Sequence, residues 1–226
     1  MTRNVGIYLF DEVEALDFAG PFEVFTTASR LKQRLRPDAP PAFLVFTIGD
    51  KIRGIRARAG LVLQPHFDFA SHPHVDVLII PGGIVEAERS RSEVIQWIAS
   101  QADGAEITAS VCTGSFLLAQ AGLLEGKRAT THFEDLLDLR LGFPGIEVIP
   151  GVRWVDNGSL LTSAGISAGI EMSLHLVARL EGDDLAQRTA RQMEYFPSTA
   201  AQRQRAAMRP LTGMPMDLAM QRPLLD

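Results

Sequence analysis

Short unbroken apolar runs, each bounded by charged or turn-forming residues, alternate along this chain with stretches of helical spacing. Residues 4–10 and 42–48 are such runs and predict strands buried on both faces, with a helix over 18–31 between them. The run DVLII at 76–80 predicts a third strand that stops abruptly at Pro81-Gly82-Gly83. A helix follows over 92–102, with Ser90 or Ser92 as its cap. Residues 106–111 then predict a strand with Cys112 at its end, and 113–121 a helix closed by Gly122. Strands at 153–156 and 160–163 flank Asn157-Gly158, the signature of a hairpin turn. Helices over 167–180 and 183–192 complete the pattern, the second capped by Asp183. Strands alternating with helices through short connections predict a mainly parallel sheet with helices on both faces. Residues 30–41 are expected to form an exposed loop. After Tyr195 the chain becomes irregular, so residues 1–194 are expected to form one α/β domain and 195–226 an extension packed on it or on a second subunit.

Composition narrows the function classes. With 226 residues, 46% of them hydrophobic and 22% charged, the chain can bury a full core. A net charge of -5 and a pI of about 5.6 argue against a nucleic-acid partner, which needs a clustered positive surface. Asp11, Glu12 and Glu14 interrupt the first apolar run, so no signal peptide is read there, and no run approaches the ~18 apolar residues of a membrane span. A cytoplasmic protein acting on a small molecule, with no membrane partner, is expected. The one cysteine rules out an internal disulfide and a multi-thiolate zinc site. No metal or cofactor is expected.

In an open parallel sheet, ligands bind beyond the carboxyl ends of the strands. Three segments meet that rule: residues 11–17, Pro81-Gly82-Gly83 and Cys112-Thr113-Gly114. A cysteine between a strand and a helix lies at the positive end of the helix dipole, which favours thiolate and makes a nucleophile. Its small neighbours Ser110, Thr113, Gly114 and Ser115 suit a sharp nucleophile elbow, although Ser110 stands where G-x-S-x-G has its first glycine. The same cysteine can equally be a small buried hydrophobe. Gly82 and Gly83 let the backbone approach a ligand, and their N–H groups with that of Thr113 could form an oxyanion hole, or they form a tight turn and nothing more. Asp17 is either a desolvated acid/base with a raised pKa or a helix cap before Gly20-Pro21. Glu12, Glu14 and Glu23 compete for its role. His132 is a candidate partner for the cysteine, whereas His175 is expected to be packing. His66, His72 and His74 have no metal-site spacing.

The segments VGIYLFDEVEALDFAGPFEVF, DVLIIPGG, ITASVCTGSFLLAQAGLLEGKRATTHF and LLTSAGISAGIEMSLHLVARL, in this order, resemble the ThiJ/PfpI family of the class I glutamine amidotransferase-like superfamily. The resemblance implies a flavodoxin-like three-layer sandwich, a homodimer and a site near the subunit interface. The pairing of D-x-x-G-P with V-C-T-G is most similar to the isocyanide hydratase branch. That branch implies a cofactor-independent lyase in which Cys112 is the nucleophile, Asp17 hydrogen-bonds to it and Thr113 assists; Gly82, Gly83 and Gly114 are the expected oxyanion and substrate-binding positions. The implied reaction adds water to an isocyanide to give an N-substituted formamide. A redox or electrophile-sensing module and a glyoxalase-like enzyme are the alternatives.

Three departures bear on this. Thr113 stands where the amidotransferase and protease-like branches carry a histidine, which argues against a peptidase. Ala19 replaces a threonine of the hydratase pattern, and Ser163-Ala164-Gly165 replaces a glycine run. The domain is also similar to the amino-terminal half of certain AraC-type regulators. The roughly thirty residues after the last helix are too few for their DNA-binding half, so a stand-alone domain is expected.

Overall fold

The computed structural model describes residues 1–197. Its strands are β1 (Arg3–Tyr8), β2 (Phe43–Gly49), β3 (Ile55–Arg56), β4 (Val62–Leu63), β5 (Phe67–Asp68), β6 (Val77–Ile80), β7 (Ile107–Val111), β8 (Arg128–Ala129), β9 (Glu147–Val148), β10 (Trp154–Asp156) and β11 (Leu160–Ser163). Its α-helices are α1 (Ala15–Leu35), α2 (Glu86–Arg89), α3 (Ser92–Gly104), α4 (Gly114–Gln120), α5 (Leu136–Gly142), α6 (Ala168–Glu181) and α7 (Asp183–Gln192).

Seven strands form the central sheet in the order β10-β11-β7-β6-β1-β2-β5, parallel throughout except for β10. The unbroken apolar runs follow from cover on both faces. In β6, Val77 and Ile79 join the core that includes Val24 and Phe25 of α1 and Met172 of α6, while Leu78 and Ile80 join the core with Val94 and Ile98 of α3 and Leu117 of α4. This is the three-layer α/β sandwich expected. The chain leaves β1 toward β2 on one side and returns to β6 on the other, so the sheet's topological switch point lies between β1 and β6, where ligands bind in folds of this kind. Among the described residues no helix is long and apolar enough to cross a membrane.

Local expectations fail where side-chain chemistry is overridden by neighbouring structure. The predicted loop at 30–41 begins as helix, because α1 runs on to Leu35, held by Arg30 to Glu23 (2.8 Å) and Lys32 to Glu181 (2.7 Å) ion pairs. Neither Ser90 nor Ser92 caps α3, whose N-cap is Arg91; the Ser90 hydroxyl donates to the Glu86 carbonyl instead. Asp183 lies inside α7, behind an N-cap at Gly182. The hairpin turn is shifted by one residue: Asn157 still donates to the Leu160 carbonyl, and Gly158 (φ 87°) followed by Ser159 makes the turn. His175 is not mere packing, since its Nε2 meets Asp156 Oδ2 at 2.7 Å. Tyr195 packs back on the domain, with its hydroxyl 3.1 Å from Glu171. The rest of the predicted extension, 198–226, lies outside the described residues.

Candidate active site

The carboxyl ends of β1, β6, β7 and β11 deliver four segments to one place. Cys112 follows β7 directly and has φ 57°, a left-handed conformation that a side chain with a Cβ adopts only under constraint. The constraints are visible. Its N–H is shared between the carbonyls of Ser163 (3.2 Å) and Ala164 (3.3 Å), and its own carbonyl accepts the hydroxyls of Thr131 (3.0 Å) and Ser115 (3.2 Å). The strained elbow expected of the V-C-T-G segment is therefore present. Gly114 permits it, because a Cβ there would collide with the Ile80 and Pro81 carbonyl oxygens. Gly114→Ala is expected to cost roughly 1–3 kcal/mol, the range for overpacking a tight site, and to appear as a lowered thermal midpoint.

Asp17 comes from the first turn of α1 and is fully buried. It is not the cap, which is Glu14. Its Oδ2 accepts the Gly82 N–H at 3.0 Å, Oδ1 takes no N–H or O–H donor, and the carboxyl interacts with the Cys112 thiol. Burial is the main cause that raises the Asp17 pKa to about 7, helped by the charge of Glu14 and opposed by the Gly82 N–H, the thiol and Arg58. The raised pKa expected of this carboxyl is thus what the fold provides.

The expected thiolate is not. Burial pushes the Cys112 thiol up to about 12, Asp17 adds to the shift, and the N–H groups of Thr113 and Ile166 offset it only in part. The helix behind the cysteine, α4, has only 7 residues, too short a dipole to outweigh desolvation. At rest the pair is a neutral thiol beside a carboxyl that titrates near neutrality.

The oxyanion hole also needs correction. The Gly82 N–H is taken by Asp17, and the Gly83 N–H donates to Thr113 Oγ1 at 2.9 Å. The Thr113 hydroxyl in turn donates to the Gly83 carbonyl (2.9 Å), so it ties two loops together rather than facing the sulfur. Gly83 has φ 140° and lies against the Glu12 carbonyl with no room for a Cβ, which is how the β6 corner docks on the segment after β1. The donors that do reach the sulfur are the N–H groups of Thr113 and Ile166.

Ile166 was not legible as a site residue. It follows β11 and has φ 46°, a genuine outlier for a β-branched side chain, which is how its N–H is turned to the cysteine. The strand-end rule that nominated the other three segments applies to β11 as well.

Cys112, Thr113, Gly83 and Ile166 line a cavity of about 660 Å³. Ile84, Val85 and Phe116 give it apolar walls, and Glu14, Arg58, Glu86, Arg89, Glu134, Asp135 and Asp138 supply charge. His132 lines the same cavity, packed against Gly165, with its Nδ1 3.4 Å from Asp135 Oδ2. It is brought to the site, but as a partner of the acids after it. Of the rival carboxylates, Glu14 is paired with Arg58 (3.2 Å), Glu23 is held by Arg30 on the outside of α1, and Glu12 contributes its carbonyl to the Ile84 N–H. Among the described residues no cluster of His, Cys, Asp and Glu is arranged to hold a metal.

Residues 3–179 match the DJ-1/PfpI family. The chain belongs to that family. It is 37% identical over 202 residues to the isonitrile hydratase of Pseudomonas putida, covering 88% of this chain and 81% of that protein. It is 28% identical over 184 residues to the HTH-type transcriptional regulator GbdR of Pseudomonas aeruginosa, but spans only 48% of that longer protein. Among solved structures, a ThiJ/PfpI family protein from Pseudomonas syringae superposes with a TM-score of 0.74 at 27% identity, over 88% of this chain and 78% of that one. Drosophila melanogaster DJ-1beta, at 20% identity, shares the fold with a TM-score of 0.73 over 87% of this chain and all of that one.

Proposed function

We propose that this protein is a cysteine-dependent hydratase that adds water to an isocyanide and releases an N-substituted formamide. The observation that carries the reading is the buried Asp17–Cys112 pair on a strained elbow, joined by the likeness to an isonitrile hydratase over most of both chains. The terminal carbon of an isocyanide must gain a bond to a nucleophile and a bond to hydrogen. A neutral thiol beside a carboxyl of pKa about 7 supplies both, because the carboxylate can take the thiol proton as sulfur attacks and hand it to the same carbon.

The product of that addition is a thioimidate, R–N=CH–S, on Cys112. Water then adds across its C=N bond, the hydroxyl going to carbon and the proton to nitrogen. Collapse of the resulting tetrahedral carbon breaks the C–S bond, returns a proton to sulfur through Asp17 and releases R–NH–CHO. The N–H groups of Thr113 and Ile166 steady the charge on sulfur in both steps. The atoms balance with isocyanide and water alone.

The likeness to half of a transcriptional regulator favours a second reading, in which Cys112 captures an electrophile or is oxidised without turnover. A thiol pushed up to about 12 is poorly suited to redox sensing, which selects low-pKa thiols. Incubation with a simple aryl isocyanide separates the two. The hydratase should release many formamides per protein molecule; one covalent adduct per chain and no formamide would replace it with the sensor.

A further inference from the structure

Arg89 ends α2 and lines the cavity that holds Cys112. Its guanidinium carbon sits 5.3 Å from the centre of the Phe116 ring and 5.7 Å from that of Phe143, and the two rings meet edge to face at 6.4 Å. Stacking on two aromatic faces fixes the plane of the fork. Among the described residues Arg89 forms no ion pair. Its Nε is buried and makes no hydrogen bond, and of the acids nearby Glu88 meets Arg91 (3.2 Å), Glu14 meets Arg58, and Glu134 and Asp135 share the His132 ring. Glu86 and Asp138 are exposed, where water and salt screen them. A half-buried guanidinium held against two rings in the wall of this cavity, with no carboxylate partner among the described residues, is a recognition element for a planar anion.

We propose that Arg89 is a specificity-determining residue that receives a carboxylate on the substrate, so that the preferred isocyanides are isocyano acids. This rests on the hydratase reading for the reacting end of the molecule, but the anion site stands on its own geometry. Arg89 and Cys112 line the same cavity, so the guanidinium and the sulfur can act on different parts of one small molecule. The apolar walls between them, Ile84, Val85 and Ile166, suit an aromatic or aliphatic spacer.

Two measurements test this. The first compares kcat/KM for 4-isocyanobenzoate and the neutral, isosteric 4-isocyanobenzamide. The wild-type protein is expected to favour the carboxylate by about tenfold or more, the usual effect of a charge-assisted bidentate contact. R89Q should collapse that ratio toward one, and R89K, which keeps the charge without the fork, should restore part of it. A wild-type ratio near one, or a ratio unchanged in R89Q, overturns the inference. The second needs neither turnover nor a variant: benzoate should slow alkylation of Cys112 by iodoacetamide several-fold more than benzamide does. Equal protection overturns the inference even if isocyanides are hydrated. If no isocyanide is hydrated but benzoate protects selectively, the hydratase reading falls and the anion site stands.

Discussion

Cys112→Ala is expected to abolish isocyanide turnover, with a loss of about 10⁴-fold or more, while stability moves by only about 1 kcal/mol. The two effects separate because of where the residue sits. Cys112 is 7% exposed, so the thiol buries little apolar area that alanine would not, and alanine keeps the Cβ that the φ of 57° already tolerates. The hydrogen bonds that hold the elbow are made by the backbone of residue 112, so only the contacts of the sulfur with the Thr113 and Ile166 N–H groups and with Asp17 go with the side chain. Glycine provides an internal check on the strain. Cys112→Gly should be at least as stable as Cys112→Ala, since the left-handed conformation costs glycine nothing. Formamide production measured beside thermal midpoints for both variants decides the matter. Turnover retained in either variant would remove Cys112 from the chemistry, and glycine less stable than alanine would mean that the elbow stores no strain.

The sheet was readable because both of its faces are covered. Burial on both sides makes residues 4–10, 42–48 and 76–80 continuously apolar, and such runs announce themselves without any alternation to decode. The helix ends were not readable, because caps are decided by single hydrogen bonds: Ser90 turned back to Glu86, and Asp183 was drawn into α7. For the site, position along the chain brought Cys112, Asp17 and the glycine corner to one place, since strand ends converge by topology alone. Their electrostatics could not be read the same way. A helix dipole can be guessed from sequence, but the burial that overrides it is set by distant segments such as Thr131 and Ile166. The glycine N–H groups were likewise nominated as free donors, although free donors rarely persist once Asp17 and Thr113 lie within reach. Arg89 was missed because nothing local marks an arginine whose partners are rings from Phe116 and Phe143, elsewhere in the chain.

Asp17→Asn should split stability from activity in the opposite directions. The Asp17 pKa is raised from 3.8 to about 7 in the folded protein, so the native state holds a proton that the unfolded chain has already lost between those values. Where the native state binds more protons, stability falls as pH rises. Asp17 therefore costs nothing at pH 3, costs progressively more up to about pH 7, and above that carries a full penalty of the order of a few kcal/mol. Asparagine can still accept the Gly82 N–H without the charge, so the variant should be more stable than wild type at pH 8 and indistinguishable from it near pH 3. Activity moves the other way. Wild-type kcat/KM should rise with pH through about 7, as the pair acquires the carboxylate that takes the thiol proton, with the midpoint belonging to the coupled pair. Asp17→Asn should lose about 10²- to 10⁴-fold, the range for a positioned acid/base. A positioning role alone is distinguished by the thiol itself. The Asp17 charge raises the Cys112 pKa, so the asparagine variant should be alkylated at pH 9 at least as fast as wild type while turning over far more slowly. If alkylation and turnover fell together, Asp17 would be holding the sulfur in place, and the proton would have to travel by another route.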